Sequence, residues 1–311
     1  MAFQIAKGPV FMCSGQGSQK PGMGVDLLEV PEVAGVFACA SEVFERDVAA
    51  LCQAPAEELN KTENAQAALC ALSVGVAEAA MTRGVQPAAV LGFSLGQISA
   101  LAVSGMLSVK ATFELLKVRA SCMARAAEEH PGVMGAFLKG TAEEVEQVCV
   151  QCAQGEVLVP ANYNSPAQTV VSGTEAALSR AEAEWKERGG RVRRLATAGA
   201  FHSPCMQSAA DEFAEYLATV DFAEPQVPLI CNTDARPLAA CDAAAHLSAH
   251  LTHGVKFEQS VRVLAEAGAG EFVEVGFGGV LSGLVKRIDG ELAHRNVQDV
   301  ASLEQLVTDF A

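Results

Sequence analysis

The sequence places one serine in a setting that suits nucleophilic chemistry. Ser94 lies between two glycines in Gly92-Phe93-Ser94-Leu95-Gly96, after the short apolar run 88–92 and before the helical pattern 95–104. A sharp strand-to-helix turn presents such a serine at the end of a sheet and leaves no space for side chains at the glycines. Because a helix start offers free N–H groups to a developing oxyanion, we expect Leu95 to donate one. The alternative is that Ser94 only caps the helix.

A serine nucleophile also needs a base, and histidine suits neutral pH best. Among the six histidines, His202 lies in an apolar loop between the inserted unit and the returning core, a position from which a histidine can face a cleft. His246 and His250 have the i, i+4 spacing of a metal site, but no carboxylate pattern accompanies them, so we expect solvated histidines and no metal. No aspartate lies between Ser94 and His202. We therefore expect a backbone carbonyl, rather than a carboxylate, to orient the base.

Composition excludes several classes of protein. The chain has 311 residues, of which 50% are hydrophobic and 19% charged, as in a folded protein with a large core. Its formal charge of −15 argues against binding to nucleic acid or to anionic membranes. No apolar run approaches a membrane span, and the first residues do not resemble a signal peptide. We expect a cytoplasmic monomer.

The ten cysteines are scattered through apolar surroundings, which predicts reduced side chains packed as small hydrophobes. Cys149 and Cys152 form a CxxC within a helical pattern, and no second ligand pair follows them. We therefore expect neither a zinc site nor a redox motif there.

Short apolar runs alternate with helical patterns, which is typical of an α/β fold. The order between residues 131 and 197 is β-α-β-β-α-β, the pattern of a ferredoxin-like unit. We predict a large subdomain with a parallel sheet, formed by 1–130 and 198–311, and an inserted small subdomain at 131–197. Predicted strands of the large subdomain include 8–13, 88–92, 227–231 and 271–275, and predicted helices include 33–51, 66–83 and 255–268.

Seven motifs, in order and at matching spacing, make the chain similar to malonyl-CoA:acyl carrier protein transacylases. The resemblance extends from Phe11 to about Ile288. The motifs are Gly15-Gln16-Gly17-Ser18-Gln19, Gln66, the Ser94 segment through Leu101, Arg119, Asn162-Tyr163-Asn164-Ser165-Pro166, Gly199-Ala200-Phe201-His202-Ser203 and Glu274-Val275-Gly276.

The resemblance implies a hydrolase-like large subdomain and transfer of an acyl group through a covalent acyl-serine. Ser94 would attack malonyl-CoA with His202 as base, and the N–H groups of Gln16 and Leu95 would hold the oxyanion. A carbonyl near Lys256 would orient the histidine. The phosphopantetheine thiol of an acyl carrier protein would then collect the malonyl group for fatty acid synthesis, with no cofactor.

The resemblance also implies substrate-binding roles for six residues: Arg119, Gln66, Phe93, Phe201, Asn162 and Lys256. A guanidinium grips both oxygens of a carboxylate, such as the one that ends a malonyl group. From the sequence alone, Arg119 pairing with Glu114 or Glu128 is the alternative.

The chain departs from the family pattern at four positions: Phe93 replaces a usual histidine, Gln97 a glutamate, and Ser14 and Ala67 prolines. Three alternatives to malonyl transfer in fatty acid synthesis stay open. They are an acyltransferase that serves a polyketide assembly line in trans, a thioesterase or hydrolase on the same scaffold, and a docking protein without activity.

Overall fold

The computed structural model describes residues 3–310. The strands in this range are β1 (Val10–Cys13), β2 (Ala89–Gly92), β3 (Val133–Leu138), β4 (Leu158–Ser165), β5 (Gln168–Gly173), β6 (Arg191–Arg194), β7 (Leu229–Ile230), β8 (Glu271–Val275) and β9 (Ala293–Val297). The helices are α1 (Pro31–Phe44), α2 (Val48–Leu51), α3 (Ala56–Leu59), α4 (Thr62–Thr82), α5 (Leu95–Val103), α6 (Val109–Glu129), α7 (Ala142–Ala153), α8 (Glu175–Glu187), α9 (Gln207–Leu217), α10 (Ala240–Ala249), α11 (Phe257–Glu266), α12 (Val280–Ile288) and α13 (Val300–Phe310).

The central sheet is parallel, with the strand order β7-β2-β1-β8-β9. Every residue of β1 and β2 is buried, as expected for strands covered by helices on both faces. β1 and β2 pair in register from Val10 with Ala89 to Cys13 with Gly92. The loops that follow Cys13 and Gly92 therefore begin side by side at the carboxyl edge of the sheet, where open α/β sheets bind ligands.

The turn after β2 is tight because both of its glycines approach other backbone atoms closely. A Cβ on Gly96 would lie 2.0 Å from the Cys13 carbonyl oxygen, and one on Gly92 would lie 2.1 Å from the Gln97 nitrogen. Between them Ser94 has φ 52° and ψ −102°, a backbone conformation that side chains disfavour. The predicted strand–turn–helix context of Ser94 is present.

The second sheet is antiparallel, with the order β4-β5-β3-β6, and α7 and α8 pack against it. This is the arrangement expected of a β-α-β-β-α-β unit, so the predicted fold class is confirmed. All four strands fall within 131–197, although the exact subdomain boundaries stay a prediction. Cys149 and Cys152 are buried in the core between α7 and this sheet, and burial raises the pKa of both thiols.

Several predicted elements differ in extent. The helix expected over 33–51 ends at Phe44, because Glu45 adopts a left-handed conformation (φ 55°), and the chain resumes as α2. The helix expected over 255–268 begins only at Phe257. The prediction also missed β9, whose sequence Ala-His-Arg-Asn-Val is largely polar because the strand lies at the edge of the sheet.

Among residues 3–310, helix α4 is long and apolar enough, by length and composition, to cross a membrane, although polar residues interrupt its apolar sequence. Its mean hydropathy is 1.3, but 83% of the apolar window is buried inside the protein. The helix packs against α1, α5 and α6. It is therefore a helix of the protein core.

We expect Gly96→Ala to destabilise the fold by about 1–3 kcal/mol, because the new methyl group meets the fixed carbonyl of Cys13. Thermal unfolding measures the change. Gly35→Ala on α1 is the control, since nothing lies within 4 Å of its Cβ position and removal of a helical glycine stabilises by about 0.5–1 kcal/mol. A Gly96→Ala protein as stable as wild type would contradict the close approach.

Candidate active site

The nucleophile and its base are in hydrogen-bonding contact. Ser94 Oγ lies 2.7 Å from His202 Nε2. His202 lies in the loop that enters α9, where its own φ of 57° is also left-handed. The Ser203 hydroxyl donates to the Ala200 carbonyl at 2.6 Å, closing a turn around the histidine. Strained backbone at both members of a contacting pair is typical of a functional site.

Backbone carbonyls fix the orientation of the base. His202 Nδ1 lies 2.8 Å from the carbonyl oxygen of His250 and 3.2 Å from that of His253. Because carbonyls only accept, the proton resides on Nδ1, and the Nε2 lone pair faces the Ser94 hydroxyl.

The carbonyls that orient His202 belong to His250 and His253, and His253 lies shortly before Lys256, near which the resemblance placed the orienting carbonyl. The Lys256 carbonyl instead accepts from Ser260 within α11, and its N–H donates to Asn232. Lys256 is the N-cap residue of α11, which begins at Phe257.

The site holds His202 neutral at physiological pH. Its side chain is only 3% exposed. Burial lowers the pKa of His202 to about 4, and the positive charge of Arg119 acts in the same direction. An imidazole that is neutral at pH 7 is ready to accept the proton of a nucleophile.

His250 is not solvated, contrary to expectation. It is fully buried, and its ring centroid lies 5.0 Å from that of His202. Burial lowers the pKa of His250 well below its ordinary value, with the neighbouring His202 as a second cause. Two neutral imidazoles therefore pack together behind the serine.

His246, unlike His250, has polar neighbours. One of them is a carboxylate, Asp234, which the sequence pattern around the histidines did not reveal. His246 Nε2 lies 3.8 Å from an Asp234 oxygen, while Nδ1 lies 2.8 Å from the Thr233 hydroxyl and 3.3 Å from Cys231 Sγ. Among residues 3–310, Cys231, Asp234 and His246 form a group of potential metal ligands. Because the thiol and the carboxylate approach opposite nitrogens of the ring, these contacts suit a hydrogen-bond network better than one shared ion.

Arg119 is a buried cation with free hydrogen-bonding capacity. The residue is 1% exposed, and Nη1 donates to Gln66 Oε1 at 2.9 Å. Within the described residues, Nε and Nη2 have no partner, and neither Glu114 nor Glu128 forms an ion pair with the guanidinium. Burial lowers the pKa of Arg119 to about 10, which still leaves it charged at pH 7. The alternative of an internal glutamate partner is thereby excluded.

One cavity of about 500 Å³ joins these groups. It lies between the carboxyl edge of the parallel sheet and the small subdomain. Of the candidate residues, those that line it are Gln16, Gln66, Phe93, Ser94, Leu95, Arg119, Asn162, Phe201 and His202; Lys256 is not among them.

Phe93, at the position where the resemblance leads us to expect histidine, forms part of an apolar wall. Its ring meets that of Phe257 edge to face, with centroids 5.5 Å apart. A Cβ on Gly15 would lie 2.6 Å from the Phe93 ring, so this glycine allows the loop after β1 to pass the aromatic side chain.

Sequence reasoning left two features of the site unidentified. It predicted a backbone carbonyl behind His202 but not that His250 and His253 provide it, because any residue has a carbonyl group. Asn232 was also missed, although its position after the predicted strand 227–231 was an available signal. The Asn232 side chain accepts from the Ser94 N–H at 2.9 Å.

A serine on a strand-to-helix turn, a neutral histidine and a buried arginine in one cavity define a serine-dependent acyl-transfer enzyme. The family model described as "Acyl transferase domain" matches residues 10–306. A malonyl CoA-acyl carrier protein transacylase of Bacillus subtilis is 37% identical, with 94% of each chain covered. One of Salmonella typhimurium is 36% identical over 96% of this chain and 98% of the relative.

Solved structures agree. The malonyl-CoA:acyl carrier protein transacylase of Xanthomonas oryzae pv. oryzae superposes with a TM-score of 0.94 at 37% identity, covering 100% of both chains. A malonyl-transacylase in complex with a type II polyketide synthase acyl carrier protein gives 0.94 at 35% identity, over 97% of this chain and 100% of that one. The chain belongs to the malonyl-CoA:acyl carrier protein transacylase family, which confirms the resemblance seen in the sequence.

We expect the reactivity of Ser94 to persist to unusually low pH. A histidine of ordinary pKa is half protonated at about pH 6.5 and has then lost half of its basic form. Because the pKa of His202 is about 4, His202 reaches that point only at about pH 4. The measurement is the rate of phosphonylation of Ser94 by a neutral serine-directed reagent, which has no titrating group of its own. Circular dichroism at each pH controls for unfolding. An acid limb centred at or above pH 6.5 in folded protein would contradict the site as described.

Proposed function

We propose that the protein transfers a malonyl group from malonyl-CoA, through an ester with Ser94, to the phosphopantetheine thiol of an acyl carrier protein, as fatty acid synthesis requires. The observation that carries the proposal is the buried, charged Arg119 in the same cavity as the Ser94–His202 pair. The names of the relatives support the same reaction.

In the first half-reaction, His202 Nε2 accepts the Ser94 hydroxyl proton while Oγ attacks the thioester carbonyl of malonyl-CoA. The resulting oxyanion is held by the N–H groups of Leu95, at the start of α5, and Gln16, in the loop after β1. Collapse of the intermediate breaks the carbon–sulfur bond, and the CoA thiolate takes the proton from His202. Malonyl-Ser94 remains.

The second half-reaction runs the same steps with another thiol. His202 accepts the proton of the phosphopantetheine thiol, whose sulfur attacks the ester carbonyl of malonyl-Ser94. Collapse breaks the ester bond, and the Ser94 oxygen recovers its proton from His202. Every proton and leaving group passes through these side chains, so the proposed reaction needs no metal or cofactor.

The geometry of Arg119 matches the malonyl carboxylate. Nε and Nη2, the unpartnered nitrogens, lie on the same edge of the guanidinium, and that edge donates two parallel hydrogen bonds to a carboxylate. Gln66 holds the opposite side through Nη1, which fixes the plane of the group. An uncharged acyl group would leave this cation desolvated and unpaired.

We expect Arg119→Met to slow acylation of Ser94 by malonyl-CoA by about 10²–10³-fold, because two charge-assisted hydrogen bonds are lost. Acetyl-CoA lacks the carboxylate, so its acylation changes little. Intact-mass analysis of the acyl-enzyme with time measures both rates. Removing an unpaired buried charge also raises the melting temperature of the ligand-free protein.

Two controls accompany this experiment. Arg125→Ala removes an exposed arginine from the same helix and leaves both rates near wild type. Ser94→Ala forms no acyl-enzyme. Equal losses with malonyl-CoA and acetyl-CoA in Arg119→Met would refute the carboxylate clamp. Release of malonate to water as fast as to a carrier thiol would favour the hydrolase alternative.

A basic groove next to the cavity suits an acidic partner. Arg193 lines both the cavity and a neighbouring groove that also contains Lys139 and Arg287. All three side chains are exposed, and none forms an ion pair with a carboxylate within residues 3–310. In a chain of net charge −15, this local excess of positive charge is where we propose that the carrier protein docks.

We expect Arg287→Glu to raise KM for the carrier protein by about ten-fold, because it places like charges opposite each other. Steady-state transfer to purified holo-carrier at two ionic strengths measures the effect, which salt reduces. Lys110→Glu, in a separate groove, is the control for charge reversal alone. An unchanged KM in Arg287→Glu would rule out this face.

We further propose that the protein acts in the cytoplasm as a monomer. Its ten unpaired cysteines fit a reducing compartment. Size-exclusion chromatography with light scattering tests the oligomeric state.

A further inference from the structure

The side-chain amide of Asn232 forms hydrogen bonds, through both its oxygen and its nitrogen, with the turn that carries Ser94. Asn232 is fully buried directly after β7, the neighbour of β2 in the sheet. Its Oδ1 accepts from the Ser94 N–H at 2.9 Å, and its Nδ2 donates to the Gly92 carbonyl at 2.7 Å. The orientation of the amide is dictated by these partners, since an N–H only donates and a carbonyl only accepts.

The turn needs such a support. Ser94 has the disfavoured φ of 52°, and such a conformation persists only where the surroundings over-determine it. Without Asn232, the Ser94 N–H and the Gly92 carbonyl would both lose the side-chain partner that the structure gives them. The turn would then relax, and Ser94 Oγ would leave its 2.7 Å contact with His202.

Two hydrogen bonds fix the backbone of Asn232 itself. Its N–H donates to Gln97 Oε1 at 2.7 Å, and Gln97 is a fully buried residue of α5. Its carbonyl accepts from the Lys256 N–H at 2.8 Å. Lys256 follows closely on His253, one of the two residues whose carbonyls orient His202.

We propose that Asn232 is a positioning residue that sets the distance between Ser94 Oγ and His202 Nε2. Its side chain holds the turn that carries Ser94. Its backbone carbonyl holds Lys256, in the segment that orients His202. Asn232 does not line the cavity, so it acts on the chemical step and not on substrate binding. The inference rests on the proposed function only in taking Ser94 as the nucleophile.

The test is Asn232→Asp, which keeps the shape and the acceptor for the Ser94 N–H but sets an oxygen against the Gly92 carbonyl. We expect the rate constant for acylation by malonyl-CoA to fall by about 10²-fold, the usual cost of a small misplacement of reacting groups. KM stays within about three-fold, because Arg119 and Gln66 are untouched. Phosphonylation by the neutral reagent falls in parallel.

The matched control is Asn296→Asp on β9. The Asn296 amide likewise donates to backbone carbonyls, those of Gly276 at 2.8 Å and Glu274 at 3.2 Å, but has no contact with the nucleophile turn. Its substitution lowers the melting temperature, as at Asn232, yet leaves acylation within about three-fold of wild type. Equal losses of rate in the two variants would overturn the proposal, as would Asn232→Asp acylating at the wild-type rate.

A second pair of variants decides the case if Asn232→Asp does not fold. Gln97→Met removes the acceptor for the Asn232 N–H, whereas Gln97→Glu retains one. We expect Gln97→Glu to acylate at least about ten-fold faster than Gln97→Met, since only the glutamate still anchors Asn232. Equal rates for these two variants would overturn the proposal. Phosphonylation separates this outcome from a failure of malonyl selectivity, because the reagent has no carboxylate.

Discussion

The register of β1 against β2 is the constraint on which the site depends. Because the two strands end together at Cys13 and Gly92, the turn that carries Ser94 passes so close to the end of β1 that Gly96 has no space for a side chain. The same register brings the loop after β1, with Gln16, to the rim of the cavity. A slip of one residue would separate Gln16 from Ser94 and turn every side chain of β1 to the other face.

Burial also lowers the pKa of both His202 and Arg119, and the two groups influence each other. Desolvation lowers the pKa of His202, and the charge of Arg119 lowers it further. A carboxylate bound to Arg119 offsets that second effect, so the base becomes stronger when the substrate arrives. Desolvation of Arg119 without a counter-ion costs the free protein stability, and the same cost makes a carboxylated acyl group the favoured occupant. One buried guanidinium thus contributes both to selectivity and to the reactivity of the base.

The sequence was informative where chemistry demands a particular side chain. Ser94, His202 and Arg119 cannot be exchanged for other residue types in their proposed roles, and the cavity brings them together. The parallel and antiparallel sheets were also predictable, because they follow from the order and periodicity of apolar runs. The sequence could not single out His250 and His253 for the opposite reason. The groups that orient His202 are carbonyls, which all residues share, and only the path of the chain between α10 and α11 determines which ones face the ring. Asn232 was missed because asparagine is a common turn residue, so its place after a strand does not by itself indicate a functional role.

The use of carbonyls instead of a carboxylate behind His202 follows from the charge of the proposed substrate. An aspartate at Nδ1 would stabilise the imidazolium and raise its pKa, but it would also place a negative charge in the low-dielectric site that must accept the malonyl carboxylate. The carbonyls of His250 and His253 select the same tautomer without adding charge. The fully buried imidazole of His250, neutral beside His202, likewise adds none. Arg119 then remains the buried positive charge in the cavity, and the potential that draws in the carboxylate is not cancelled by the group that orients the base.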